Sequence, residues 1–280
     1  MGRLFILKPK TKFNVPVEAE KIRPKVFAEK SLEDIKKIKV YEGNRERALG
    51  ELFEIKEETI EEDIVRIILE GDFRKVWRIG EKMGFGEILV NGDCGHYLGY
   101  NMKGGKIVVK GNAGSWIGAE MTGGTIEIHG NAGDHIGSVL RGLKASRGMK
   151  GGKIIIHGNA GAEIGTQISK GLIAVEGDCG PLPGLRMSGG TILIRGSCAG
   201  KAGARMTGGK IIICGNAGGV LPTFYIDSIA KSVKVKGEKI QGPFFLFLGD
   251  VLEDIKCNGR LYVNIDKNPE LSKFKEFLGE

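Results

Sequence analysis

Proline is nearly missing from this sequence, with eight residues in 280, and cysteine occurs only five times. The five cysteines, at 94, 179, 198, 214 and 257, form no Cys-x-x-Cys pair and no metal-ligand run. An odd count at such spacings fits a reducing compartment. Long apolar runs are missing too. The longest, FFLFL at 244–248, is far too short to span a bilayer. The opening MGRLFILKPK carries too short an apolar stretch for a signal peptide, and Ile6 departs from the myristoylation pattern. A cytoplasmic protein that does not enter the membrane is expected. The formal charge is +8, but 42 basic and 34 acidic residues are intermixed and no compact Lys/Arg run stands out. That pattern describes a solvated, Lys/Glu-rich surface of the kind thermophiles favour rather than a nucleic-acid footprint.

Glycine is what the sequence has in surplus: 46 residues, about twice the usual share. Without proline and without a three-residue period, this excludes collagen and points to many tight turns. The turns recur. MKGGKIVVKGNAGSWIG at 102–118 and MKGGKIIIHGNAGAEIG at 149–165 agree at twelve of seventeen positions. The non-initiator methionines, at 83, 102, 121, 149, 187 and 206, are separated by 19, 19, 28, 38 and 19 residues. Ile168 stands where the 38-residue gap lacks a methionine. The 28-residue gap is one unit plus a nine-residue insert, LRGLKASRG at 140–148. Seven copies of M-x-G-G-x-I-x-(I/V)-x-G-(N/D)-(A/C)-G-x-x-(I/L)-G follow, and IILEGD at 67–72 looks like a degenerate eighth.

A short fixed period is the signature of a solenoid. Ile-x-Ile/Val gives the period-two alternation of a strand, and the flanking glycines give corners. The expected fold class is therefore all-β: a single-stranded right-handed parallel β-helix of 19-residue repeats. Ile88, Ile107, Ile126, Ile154, Ile173, Ile192 and Ile211 should form one inward ladder. Val90, Val109, Ile128, Ile156, Val175, Ile194 and Ile213 should form its neighbour. Asn112, Asn131, Asn159 and Asn216, with Asp93, Asp178 and Ser197, share a turn slot where short polar side chains can bond backbone. Cys94, Cys179 and Cys198 replace alanine in the next slot, as small buried hydrophobes.

The glycine pairs resemble phosphate loops only superficially. A P-loop needs Gly-Lys followed by Ser or Thr and then a helix, whereas GGK here precedes isoleucine and a strand. A 19-residue period leaves no room for a dinucleotide-binding βαβ unit. His129 and His157 occupy one slot in consecutive units, and with Glu176 in the same column they could hold a metal. That slot holds Asn91, Lys110, Arg195 and Cys214 elsewhere, the mixture of a solvated face. No metal, cofactor-binding or catalytic residue is therefore expected on this chain. The candidate sites are contacts. Leu89, Val108, Ile155, Leu193 and Ile212, with Ala174 and Glu127, fill an outward slot that is apolar in all but one unit. An outward apolar stripe must be covered by the chain's own ends or by another protein. The insert, with Arg141, Lys144 and Arg147, is a second candidate contact.

The repeat region is assigned to 61–221, flanked by small non-repeat extensions that contain short helices. Residues 1–60 read as an N-terminal arm whose SLEDIKKIKV starts a helix with Ser31-x-x-Asp34. Residues 222–280 read as irregular coils or strands and a capping helix. Asn268 is taken as its N-cap, with Pro269 in the first turn.

With the units aligned, GGKIVVKGNAGSWIGAEMTGGTIEIHGNAGDHIG resembles the GXGXG domain, which closes the glutamate synthase large subunit and forms the C subunit of formylmethanofuran dehydrogenase. VFAEKSLEDIKKIKVYEGNRERALGELFEI resembles the segment that precedes the repeats in that dehydrogenase subunit. The resemblance implies a structural scaffold, without an active site of its own, in a methanogen complex that reduces carbon dioxide to formylmethanofuran. It also implies that the molybdopterin with tungsten or molybdenum, the iron–sulfur clusters and the zinc belong to partner subunits, one pterin-bearing and one amidohydrolase-like. The alternative is a stand-alone glutamate-synthase-type GXGXG subunit, also structural.

Overall fold

The computed structural model describes residues 1–140, 142, 147–253 and 258–278. Strands predominate. Before the first full repeat come β1 (Gly2–Pro9), β2 (Val17–Glu18), β3 (Lys39–Glu42), β4 (Arg45–Ala48), β5 (Phe53–Ile60), β6 (Val65–Glu70) and β7 (Val76–Trp77). The repeats supply β8 (Glu87–Asn91), β9 (Lys106–Val109), β10 (Thr125–Ile128), β11 (Lys150–Ile156), β12 (Lys170–Val175), β13 (Ser188–Ile194) and β14 (Gly208–Ile213). The chain closes with β15 (Tyr225–Val235), β16 (Glu238–Leu248), β17 (Arg260–Asn264) and a 3-10 helix, Pro269–Phe277.

Each repeat strand pairs in parallel with the strand one unit away, so Ile88, Ile107, Ile126, Ile154, Ile173, Ile192 and Ile211 lie side by side. All seven are at most 1% exposed, and the Val90-to-Ile213 ladder is wholly buried. Identical branched side chains stacked in register fill the interior without gaps, as packing demands. Stacking recurs at the corners. Phe73, Cys94, Ala113, Ala132, Ala160, Cys179 and Cys198 form a second column of parallel bridges. In a third column the N–H groups of Gly99, Gly118, Gly137, Gly165 and Gly184 donate to a carbonyl of the preceding unit at 2.7–2.8 Å. Ile126 meets Ile154 across the insert, so nine extra residues leave the register untouched.

The polar turn slot is a ladder between units, as stacking of like side chains allows. The N–H groups of Asn112, Asn131, Asn159, Asp178 and Ser197 donate to the side-chain oxygen of the same slot one unit earlier, at 2.7–2.9 Å. Asn216 donates likewise to Ser197 at 3.2 Å. Each short polar side chain thus satisfies a backbone donor of the next unit. The second glycine of each pair is required sterically. Gly124 has φ +86°, and a Cβ there would stand 2.7 Å from Met102 Cε and 2.9 Å from the Gly104 carbonyl carbon.

Both ends contain the expected strands and short helices, and pair with the stack. Within 1–60, β1 does not trail as an arm: it pairs in parallel with β6, and β5 closes that edge antiparallel. A second sheet (β4-β3-β2-β7) and helices α1 (Pro24–Ala28), α2 (Leu32–Lys36) and α3 (Leu49–Leu52) pack nearby. Phe5 meets Phe27 edge-on at 5.2 Å, and Phe53 stacks on Phe73 at 5.7 Å. Ser31 caps α2, accepting from the Asp34 N–H at 3.2 Å. After the repeats, β15 and β16 make a long antiparallel hairpin, and β17 resumes the parallel ladder on β14. Asn268 holds the N-cap position of the last helix, with Pro269 in its first turn, but its side chain makes no capping bond. It is fully buried, accepts from the Ala217 N–H at 2.8 Å and donates to the Gly215 carbonyl at 3.0 Å. It therefore ties the last helix to the last repeat. Both outer strands, β5 and β15, carry charge along their length, with Glu54, Lys56 and Glu58 on one and Asp227, Lys231 and Lys234 on the other.

Candidate functional site

Alternation puts Leu89, Val108, Glu127, Ile155, Ala174, Leu193 and Ile212 on the outward face of β8–β14, in register. The two halves of this stripe differ. Leu193 and Ile212 are 2% and 0% exposed, packed with Leu172, Ala174 and Tyr262 under Val233, Val235, Ile240 and Phe244 of the β15–β16 hairpin. Arg195 pairs with Glu238, and the Lys210 ammonium donates to the Lys234 carbonyl, at the hairpin tip. Offering Leu193 and Ile212 as a partner-facing surface is therefore corrected: the chain itself covers them. Leu89, Val108 and Ile155 remain half-buried. Leu89 and Val108, with Ile68 of β6, line a shallow cavity of about 250 Å³ rimmed by Arg66, Glu87 and Lys106.

Of the insert, Arg141 and Lys144 lie outside the described residues. Arg147 lines a cleft of about 400 Å³ with Gln167, Arg186 and Arg205. A neighbouring cavity of about 510 Å³ shares the last three and is walled by Trp116 and His135. Arg205 pairs with Glu253. Trp116 and His135 stack at 4.2 Å, continuing a column in which Tyr97 stacks on Trp116 at 6.2 Å. All three have left-handed backbone, φ 60° to 65°. The sequence signal was the recurrent x-x before Ile-Gly, whose second residue is aromatic in three successive units.

His129 and His157 are brought together, but not with Glu176. Glu176 is 2.7 Å from Arg195 Nε and belongs to the ion pairs around the hairpin. The carboxylate beside the histidines is Glu127, whose Oε1 is 3.1 Å from His157 Nε2 and 3.7 Å from His129 Nε2. The hydrogen bond to His157 holds the Glu127 carboxyl below the usual carboxylate range. Period-two alternation already placed Glu127 and His129 on one face, so the sequence carried this signal. His96 belongs to a second ladder: its Nδ1 accepts from the Ser115 N–H at 3.0 Å, and burial lowers its pKa.

Cys94, Cys179, Cys198 and Cys214 carry free thiols. Burial pushes the Cys94 thiol up to about 12. Cys179 is raised by its hydrogen bond with Cys198 and by burial. These shifts favour the protonated thiol at Cys94 and Cys179, whereas the same hydrogen bond lowers Cys198. An iron–sulfur cluster needs converging thiolates. The described cysteines supply one adjacent pair, at 179 and 198, with the others elsewhere in the stack. They do not fit such a cluster. Among the described residues, no helix is long and apolar enough to cross a membrane.

A Gly-rich stack of parallel 19-residue units defines the class, and the GXGXG motif family model matches residues 73–240. The chain belongs to the GXGXG family. Among its relatives, the C subunit of the molybdenum-containing formylmethanofuran dehydrogenase 1 of Methanothermobacter marburgensis is 47% identical over 95 residues. The C subunit of the tungsten-containing formylmethanofuran dehydrogenase 2 of Methanothermobacter wolfeii is 45% identical over 96. Each match covers 34% of this chain, and 23% and 35% of those relatives. The chain thus spans about a quarter to a third of the curated relatives it matches. A chain of the formyltransferase/hydrolase complex (FhcABCD) from Methylorubrum extorquens, solved with methylofuran, superposes with TM-score 0.79 at 28% identity. That match covers 92% of this chain and 99% of the other.

Proposed function

We propose that this chain is a structural subunit of a formylmethanofuran dehydrogenase complex, a right-handed parallel β-helix that holds catalytic subunits and performs no chemistry of its own. The observation that carries the reading is the pairing of two likenesses. The repeat resembles the C subunit of both metal forms of the dehydrogenase, and the whole fold resembles a chain of a multisubunit formyl-transferring complex. Three columns of parallel contacts, one per side of each unit, support the β-helix. The open half of the outward stripe is the surface on which a partner would be held, with Leu89 and Val108 at its centre. The molybdopterin, its tungsten or molybdenum, the iron–sulfur clusters and the zinc then reside in pterin-bearing and amidohydrolase-like partners. The assembly is cytoplasmic and belongs to carbon dioxide reduction in a thermophilic methanogenic archaeon.

Affinity purification of the tagged full chain from its host tests this. Co-elution of a molybdopterin-bearing subunit, with formylmethanofuran oxidation in the eluate and none in the isolated chain, is the expected result. Co-elution of a flavin-bearing glutamate synthase subunit instead, or dehydrogenase activity in the isolated chain, sinks the proposal.

A further inference from the structure

The outward slot that is apolar in six repeat units is acidic in one. Glu127 occupies it on β10, and the two histidines of the neighbouring slot fall immediately after β10 and β11, in the same two units. The geometry is convergent. Glu127 Oε1 is 3.1 Å from His157 Nε2 and 3.7 Å from His129 Nε2, and the donor atoms of all three lie within 4.8 Å of one another. Ligands held about 2.0–2.2 Å from a tetrahedral cation are separated by roughly 3.3–3.6 Å. The two carboxylate–imidazole separations fall just below and just above that range. Lys106 approaches the other carboxylate oxygen, Oε2, at 3.8 Å, which leaves Oε1 to the histidines. The two imidazoles are anchored by strand backbone: the His129 N–H donates to the Val109 carbonyl and the His157 N–H to the Ile128 carbonyl, both at 2.9 Å.

We infer that Glu127, His129 and His157 form a binding site for one divalent transition cation at the outward-facing ends of β10 and β11. Two imidazoles and a carboxylate favour zinc, nickel or copper over magnesium or calcium, which prefer all-oxygen shells. Three protein donors leave at least one coordination position open, and here it faces away from the sheet. The site lies where the open half of the apolar stripe meets the half beneath the hairpin, with Val108 and Ile155 flanking Glu127 in the ladder. A cation there would offer its free position to whatever settles on that surface. The inference rests on these three residues and stands whether or not the proposed assembly is correct.

Zinc titration of the purified full chain by calorimetry at pH 7.5 tests it, with cobalt absorption as a second readout. One zinc per chain is expected, removed again by a chelator such as EDTA. His129→Ala and His157→Ala should each weaken binding by more than the roughly 10–100-fold lost when an outer-shell partner is removed. Glu127→Gln, which keeps the shape, should weaken it about tenfold or more. Cys214→Ser, which removes the half-buried thiol of the same outward column, should leave the titration unchanged. All three site residues reach solvent, so circular dichroism and melting should match the unsubstituted chain. Zinc bound equally by the histidine variants, or no zinc bound at all, overturns the inference.

Discussion

The two halves of the outward stripe begin from the same sequence pattern and end in different states. At β12–β14 the stripe lies under an eleven-residue hairpin arm and is dry. At β8 and β9 the same slot, filled by Leu89 and Val108, is half-open. Period-two alternation made the slot outward in both places, and apolar residues filled it in both. What differs is whether a later part of the chain returns to it. A repeat therefore states that a face needs covering but not what covers it, because the cover is supplied by residues outside the repeat.

The contrast can be broken from either side. Ile212→Asp should have the largest effect. It puts a carboxylate at a fully buried position with no cation in the surrounding cluster, and should cost about 4 kcal/mol or more. The check is thermal and denaturant unfolding of the isolated chain. An unchanged midpoint would mean that the hairpin does not cover the stripe in solution. Phe244→Ala should come next, at about 3–4 kcal/mol, because a large buried ring is removed from the cover itself. Hydrogen exchange should then quicken at β13 and β14 while β8 and β9 stay as they were. Val108→Asp should be smallest in stability, within about 0.5 kcal/mol, since the position already meets solvent. Its consequence belongs to assembly: retention of partners in the purified complex should fall by about tenfold or more, equivalent to roughly 1.4 kcal/mol. If Val108→Asp instead unfolds the chain and Ile212→Asp does not, the assignment of the two halves is reversed.

Much of the stack was legible in the sequence because its information is local and repeated. The isoleucine and valine ladders, the substitution of Ile168 for methionine and the tolerance of the insert follow from counting to nineteen, and the degenerate unit at 67–72 from its likeness to 88–93. What was not legible depends on long-range pairing. Nothing in GRLFILKP says that β1 will lie beside β6, because the evidence is a register match between residues about sixty apart. Likewise YIDSIAKSVKV alternates, but its pairing partner and the face it shelters are set only in the folded chain. The reading of Asn268 as N-cap held for its position but not for its side-chain bonds, for a related reason. Local grammar favoured it, whereas burial against Gly215 and Ala217 used the side chain elsewhere. Glu127 was within reach: the alternation that made Val108 outward also set Glu127 beside His129, and column order drew attention to Glu176 instead.

The charged outer strands have a consequence for a molecule assembled from near-identical layers. Each unit is a template for the next, so an exposed terminal layer would recruit further chains end to end, as in cross-β polymers. Here the terminal strands run antiparallel to the strands they cover and present lysine, aspartate and glutamate along the free edge. The stack is thus a self-terminating crystal in one dimension, whose growth stops at a length written into the chain.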